Sequence, residues 1–406
     1  MSINRRDFLD HVSKAGLLGA LGIGHGFPLI DDVNDVAARA ADGHIFLSKP
    51  YLQAPSSNSM HIFWITNKLC YSWVEYGEGN QLNQKAHEVA DGLVSAYNRV
   101  NNVKLTNLKP NTEYSYRVVS KEIKEFLPYK LTYGETITGD VNTFKTVDPE
   151  AKEVSWLVMN DIHDRPHSFS QLMKLNGAAP YDYVFLNGDM FDYQTDEKQL
   201  IDHLITPCTD TFASNTPFLF VRGNHETRGK FRRALADYFT SPSGDYYYSY
   251  QWGPVYNIVI DTGEDKPDDA PVYAGIVDFD SYRREQAAWF EQIAQTTAFK
   301  KAPFRVVMMH IPHFYSGDWH GTMHCRELFA PLFDKYKVDM VLCGHTHKYG
   351  VFAPEKGAHN YPIIIGGGPQ EGRRTLIKVK ATQQELSLKM IKDDGTEVGS
   401  YVVKRQ

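Results

Sequence analysis

Tyr183-Val184-Phe185-Leu186-Asn187-Gly188-Asp189-Met190-Phe191-Asp192 is an apolar run of strand length that breaks into a polar cluster. A run without polar alternation reads as a strand buried on both faces, as in parallel sheets flanked by helices. The same design recurs four more times. Trp156 to Met159 leads into Asp161-Ile162-His163, and Phe218 to Val221 into Gly223-Asn224-His225-Glu226. Val306 to Met309 leads into His310-Ile311-Pro312-His313, and Met340 to Cys343 into Gly344-His345-Thr346-His347. Segments near 195–206, 283–297 and 326–336 have helical spacing and length, so the region is predicted to be an α/β sandwich. After Gly366-Gly367-Gly368-Pro369, the alternating stretches 374–380 and 385–391 read as closing edge strands.

In α/β sheets, ligands bind beyond the carboxyl ends of the strands, so five clusters delivered at five strand ends can meet in one crevice. One cluster alone carries little weight, because a His after a strand is most often a satisfied structural residue. Five in succession, offering Asp, His and Asn but no Cys, form a donor set for metal ions that prefer nitrogen and oxygen.

Upstream the pattern changes. From Ile45 to about Thr146, short alternating stretches such as Met60-His61-Ile62-Phe63-Trp64-Ile65 and Tyr71-Ser72-Trp73-Val74-Glu75-Tyr76-Gly77 are broken by turn residues, which predicts an all-β sandwich. Pro110 and Tyr114 resemble the corner of a fibronectin type III module, where a Tyr after a Pro-containing turn pins the start of a strand. The polar link Asp148-Pro149-Glu150-Ala151-Lys152-Glu153 marks a boundary, giving domains over 44–147 and 150–406. At the extreme N-terminus, Asn4-Arg5-Arg6-Asp7-Phe8-Leu9 precedes a Gly-, Ala- and Leu-rich run and then Ala38-Arg39-Ala40. That order resembles a twin-arginine export signal over residues 1–40, too short and interrupted to span a bilayer. The expectation is therefore a mature chain with no transmembrane segment, carried by the twin-arginine export machinery to the periplasm or cell surface of a bacterium.

Composition agrees with two or three compact units in 406 residues: 42% are apolar and 23% charged. Forty-three Lys and Arg against forty-nine Asp and Glu leave a net charge of −6, so no global positive field is available to hold nucleic acid. Cys70, Cys208, Cys325 and Cys343 show no Cys-x-x-Cys spacing and read as free thiols.

The clusters over 161–347 resemble those of calcineurin-like metallophosphoesterases. The pairing with an upstream β module, together with Pro50-Tyr51-Leu52-Gln53, is similar to that of purple acid phosphatases. The resemblance implies a four-layer αββα catalytic domain behind a fibronectin III-like one. It implies that Asp161, His163, Asp189 and His347 bind one metal ion, and that Asp189, Asn224, His310 and His345 bind a second, with Asp189 bridging. Two cations roughly 3.5–4 Å apart need an anionic oxygen between them and can clamp both the attacking and the leaving oxygen, with a bridging hydroxide as nucleophile. The pattern also implies that His225 and His320 face the substrate, with His313 and His324 competing for the second role. Glu226 and Asp192 are expected to orient a ligand or a loop by hydrogen bonds.

One departure stands out. Purple acid phosphatases carry Tyr where this chain has Asp192, and Gly where it has His163, while Tyr193 is one place late. An imidazole thus replaces a phenolate that favours iron(III), which leaves iron, manganese or zinc open for the pair. The implied activity is hydrolysis of small phosphomonoesters outside the cytoplasm. A phosphodiesterase or nucleotide hydrolase would use the same centre, and the sequence offers no basic cluster or nucleotide-stacking motif that clearly excludes either. A non-catalytic surface binding protein is the third reading, opposed by a complete ligand set.

Overall fold

The computed structural model describes residues 43–405, so the segment 1–40 read as an export signal, with Arg5 and Arg6, lies outside the described residues. The first unit is antiparallel and comprises β1 (Tyr51–Gln53), β2 (Met60–Glu78), β3 (Gln84–Ala86), β4 (Val89–Ala90), β5 (Leu93–Val94), β6 (Ala96–Leu105), β7 (Glu113–Leu127), β8 (Lys130–Thr138) and β9 (Asn142–Lys145). The long β2 changes partners along its length: Met60 to Ile65 pairs with β6, whereas Cys70 to Glu78 pairs with β7. Its alternating Met60, Ile62, Trp64, Val74 and Tyr76 share a core with Leu105, Tyr116 and Phe144. The Lys109 amide donates to the Tyr114 hydroxyl at 2.9 Å, the corner that the Pro110–Tyr114 pattern predicts.

The second unit holds β10 (Glu153–Met159), β11 (Tyr183–Asn187), β12 (Phe218–Val221), β13 (Tyr248–Trp252), β14 (Val255–Ile260), β15 (Phe304–Met309), β16 (Met340–Cys343), β17 (Gly350–Phe352), β18 (Ile363–Ile365), β19 (Thr375–Thr382), β20 (Glu385–Lys392) and β21 (Glu397–Lys404). They form two six-stranded mixed sheets, in the orders β12-β11-β10-β19-β20-β21 and β13-β14-β15-β16-β18-β17. Strand polarity explains the unbroken apolar runs. Along β10 and β11, Trp156, Val158, Tyr183 and Phe185 enter the core between the sheets. Their neighbours Leu157, Met159, Val184 and Leu186 face outward, onto α1 (His167–Asn176) and the helical segment 197–211. The second sheet does the same: Met340 and Leu342 face inward, while Val341 and Cys343 pack beneath α4 (Phe279–Ile293) and α6 (His320–Lys335), with α2 (Glu197–Leu200), α3 (Thr206–Thr211) and α5 (Thr297–Lys301) completing the helices. The result is the expected helix–sheet–sheet–helix layering.

The closing strands differ from the sequence expectation. β19 is interior, bonded to β10 on one side and β20 on the other, and β21 forms the edge. Alternation in β19 reports a partly covered outer face, which an interior strand can also have. The four cysteines are free and buried, as expected.

The two units are not separated by a cleft along their whole contact. Tyr51, Phe63 and Ile65 of the first unit lie in one apolar cluster with Leu200, Phe218 and Phe239 of the second. The Tyr51 hydroxyl donates to the Tyr238 carbonyl at 2.8 Å, and the Tyr116 hydroxyl to the Ser214 carbonyl at 2.7 Å.

Candidate metal centre

Three of the five parallel runs, β10, β11 and β16, stop where the chain turns sharply. Asp161, His163, Asp189, His345 and His347 have φ of 51°, 49°, 55°, 72° and 55°, the left-handed region. Asp and His tolerate this region better than branched residues do, at a cost of about 1–2 kcal/mol each. Cross-strand bonds hold the turns: the Asp161 amide donates to the Gly188 carbonyl and the His163 amide to the Asp189 carbonyl, both at 3.0 Å. A third joins the Gly344 amide to the His310 carbonyl at 3.0 Å. Close approach requires glycine at Gly223, where a Cβ would lie 2.1 Å from Asp189 Oδ1.

These turns bring all seven predicted ligand residues together, three strand ends from one sheet meeting two from the other. Asp161, His163, Asp189 and His347 form one group whose donor atoms lie within 4.8 Å of one another, and Asp189, His310 and His345 form another. Asp189 belongs to both. In the first group, His163 Nε2 and His347 Nε2 are 2.9 Å apart, and Asp161 Oδ1 lies 3.4 Å from the latter. In the second, Asp189 Oδ2 lies 3.0 Å from His310 Nε2, and Asn224 Oδ1 lies 2.9 Å from His345 Nδ1.

The donor chemistry fits cations. His310 Nδ1 lies 2.8 Å from the Asn187 carbonyl, which can only accept, so Nδ1 carries a proton and Nε2, when deprotonated, presents a lone pair. That buried Nε2 has no hydrogen-bond partner, although it faces the Asp189 carboxylate. A lone pair aimed at a carboxylate is repulsive unless positive charge lies between them. Asp192 Oδ1 fixes His163 in the same way, 2.9 Å from Nδ1. Burial alone would raise the Asp161 and Asp189 carboxyls. Bonds from His163 and His347 hold Asp161, and His310 holds Asp189, well below the usual carboxylate range. Burial opposes a charge on His310, yet the Asp189 carboxylate beside it pulls its pKa up to about 10. Two buried carboxylates thus demand positive charge in this cavity, a demand that metal ions meet in competition with protons.

Glu226 is fully buried and accepts from the amides of Gly223, Asp189 and Met190 at 2.6, 2.8 and 2.7 Å, so one carboxylate ties the loop after β11 to the loop after β12. Burial and then the Asp189 charge push its pKa up to about 7. His225 donates its amide to Asp189 Oδ1 at 2.9 Å. Its Nδ1 lies 2.6 Å from the Asp192 carbonyl, and Arg228 donates to its Nε2 at 3.0 Å, which makes the imidazole neutral in this arrangement. Burial, outweighing Asp189 and reinforced by Arg228, lowers its pKa.

His320 sits elsewhere in the contact network. At the start of α6, its Nε2 meets Asp280 Oδ1 at 2.8 Å, and His324 Nδ1 lies 3.1 Å from the same oxygen. These three residues form their own group, sharing no member with the two around Asp189. His313 is a core residue, fully buried with Nε2 2.7 Å from the Tyr361 hydroxyl, and burial drives its pKa down to about 3.

The sequence reading missed Arg228. It forms a two-pronged ion pair with Glu264 at 3.1 and 2.9 Å while touching His225. The signal was present in Thr227-Arg228-Gly229-Lys230-Phe231-Arg232-Arg233, a basic run directly after the Asn224-His225-Glu226 cluster. Contrary to the sequence expectation, the chain does offer a basic cluster beside the donor groups.

The sequence profile of the calcineurin-like phosphoesterase family matches residues 155–349, and that of the purple acid phosphatase N-terminal domain matches residues 48–146. Among related proteins, purple acid phosphatase 21 of Arabidopsis thaliana is 26% identical over 362 residues, covering 83% of this chain and 74% of its own length. Probable purple acid phosphatase 20 of the same plant is 25% identical over 381 residues, covering 86% and 79%. Among solved structures, a purple acid phosphatase from yellow lupin (Lupinus luteus) seeds superposes with a TM-score of 0.65 at 16% identity, over 88% of this chain and 74% of its own. PhoD superposes with a TM-score of 0.65 at 13% identity, over 89% and 90%. These two likenesses are of fold.

Proposed function

Because the chain carries a calcineurin-like phosphoesterase domain behind a purple acid phosphatase N-terminal domain and is a phosphoester hydrolase, we propose that it is an exported, dimetal-dependent phosphomonoesterase. The observation that carries this reading is the pair of donor groups sharing Asp189, built from two carboxylates, four imidazoles and one amide. Few negative ligands leave bound cations electrophilic, and when bound they polarise the phosphoryl group and acidify the attacking water.

The chain's own residues do the rest. Asp161, His163, Asp189 and His347 would hold one cation, and Asp189, Asn224, His310 and His345 the other. Asp192 keeps His163 in the tautomer that turns Nε2 inward. His225, with Arg228 on its Nε2, faces the oxygens of the transferring phosphoryl group. His320, oriented by Asp280, serves the leaving oxygen. Iron, manganese or zinc suit this donor set. We read residues 1–40 as a twin-arginine leader, 44–147 as the β domain and 150–406 as the catalytic domain, with the periplasm or cell surface as destination.

Metal analysis joined to a panel of phosphomonoesters and diesters tests the function. The expected result is two ions per chain and faster turnover of monoesters, both ions being lost in Asp189→Ala. Retention of two ions and full activity in that variant would overturn the assignment, and faster turnover of diesters would replace the monoester reading. Export is tested by Arg5→Lys/Arg6→Lys, which should leave unprocessed precursor in the cytoplasm. Normal processing of that variant would refute the leader.

A further inference from the structure

Beside the metal centre lies a cavity of about 630 Å³, lined by the segment that follows Glu226 and by the loop between β14 and α4. Five cations line it, Arg228, Lys230, Arg232, Arg233 and Lys266, against one lining carboxylate, Glu264. Arg228 is paired with Glu264 at 2.9 Å, and Lys266 with Asp265 at 2.9 Å. Among the described residues, no carboxylate lies within ion-pair distance of Lys230, Arg232 or Arg233. The Arg232 guanidinium is held instead by the Thr227 and Ile276 carbonyls at 2.6 and 3.3 Å, contacts that orient its charge without cancelling it. Burial and then Arg233 disfavour that charge, a sign of crowded positive groups.

The cavity is joined to the reaction centre through one side chain. Arg228 lines it and donates to His225 Nε2 at 3.0 Å, and the His225 amide bonds the shared Asp189 at 2.9 Å. Arg228 thus borders both the imidazole beside the donor groups and the cavity that holds three cations without a carboxylate partner. Across the cavity Val272 and Ile276 stand 71% and 58% exposed, an apolar wall for the organic part of an ester.

We propose that this cavity is a subsite for a second phosphate group, so that the preferred substrates are small esters carrying more than one phosphate. The proposal deepens the hydrolase reading and rests on it. Small molecules are favoured over a nucleic-acid strand because the volume suits a metabolite-sized ligand and the whole chain is negative, at −6.

The test uses the metal-loaded full-length chain and Lys230→Ala/Arg233→Ala, two exposed positions whose truncation leaves the core intact. Calorimetry with inorganic phosphate and with methylenediphosphonate, the pyrophosphate probe whose P–C–P bridge is not hydrolysed, reads the subsite without turnover. The chain should bind methylenediphosphonate about tenfold more tightly than phosphate, and the double variant should lose most of that ratio. Lys230→Arg/Arg233→Lys should restore it. In kinetics, the kcat/KM ratio of a nucleoside triphosphate to its monophosphate should fall by a similar factor in the Ala variant, through KM. An equal diphosphonate preference in the Ala variant, or none in the unmutated chain, would overturn the proposal. Tighter binding of a single-stranded oligonucleotide than of methylenediphosphonate would overturn it in favour of a polymer. Failure to hydrolyse any ester would refute the hydrolase reading alone, since the diphosphonate measurement still decides the subsite.

Discussion

Asp192 and His163 occupy the two positions where this chain departs from the purple acid phosphatase pattern, and the structure puts them 2.9 Å apart. The carboxylate holds the imidazole by its Nδ1. Tyr193, the nearest phenol in sequence, is 58% exposed. Asp192→Ala should thus weaken metal retention about 10–100-fold by freeing the His163 ring, as measured by chelator competition. Tyr193→Phe should change nothing, and the loaded protein should lack the visible absorption of a tyrosinate–iron(III) bond. A purple preparation that bleaches in Tyr193→Phe would show instead that Tyr193 ligates iron(III). Residue identity was legible here because ligand chemistry restricts it to a few types. The roles of Glu226 and Arg228 were harder to read, since one acts through three backbone amides and the other through a glutamate thirty-six positions away.

At the scale of elements, the runs that end in ligands were readable because burial on both faces leaves an unbroken apolar signature. β13 and β14 were not, since Tyr248-Ser249-Tyr250-Gln251-Trp252 is mixed in character and its partner carries no ligand cluster. Yet β14 supplies a clamp beside the centre. Arg222, at the end of β12, donates to Asp261, at the end of β14, at 2.7 and 2.5 Å, and so ties the two sheets together one residue before Gly223. Asp261 is completely buried. Arg222→Met should cost about 3 kcal/mol or more, because it strands a buried carboxylate. Arg222→Met/Asp261→Asn should recover part of that loss, as judged by denaturant midpoints. A fully additive double variant would show that the two side chains do not act as a pair.

For the whole molecule, the sequence placed a domain boundary at the polar link Asp148–Glu153, but a link in sequence says nothing about the surfaces on either side. Those surfaces are apolar and joined. Tyr51, contributed by the first unit, is fully buried, with its ring 5.4 Å from Phe63 of its own unit and 6.1 Å from Phe218 of the other. Arg99 reaches Glu197 at 2.5 Å, and the same glutamate accepts from the Tyr238 hydroxyl at 2.8 Å. Unfolding either unit would expose the shared cluster, so neither can open without a penalty on the other. The chain is therefore expected to unfold in a single transition, and Tyr51→Ala, which empties the junction, should lower that midpoint by the equivalent of about 3–5 kcal/mol. Hydrogen exchange read on peptides from β7 and from β11 checks this, since both should lose protection at the same denaturant concentration before and after the substitution. Protection of β11 that outlasts β7 in the unmutated chain would show that the units are independent. The joint would then be a docking surface rather than a common core.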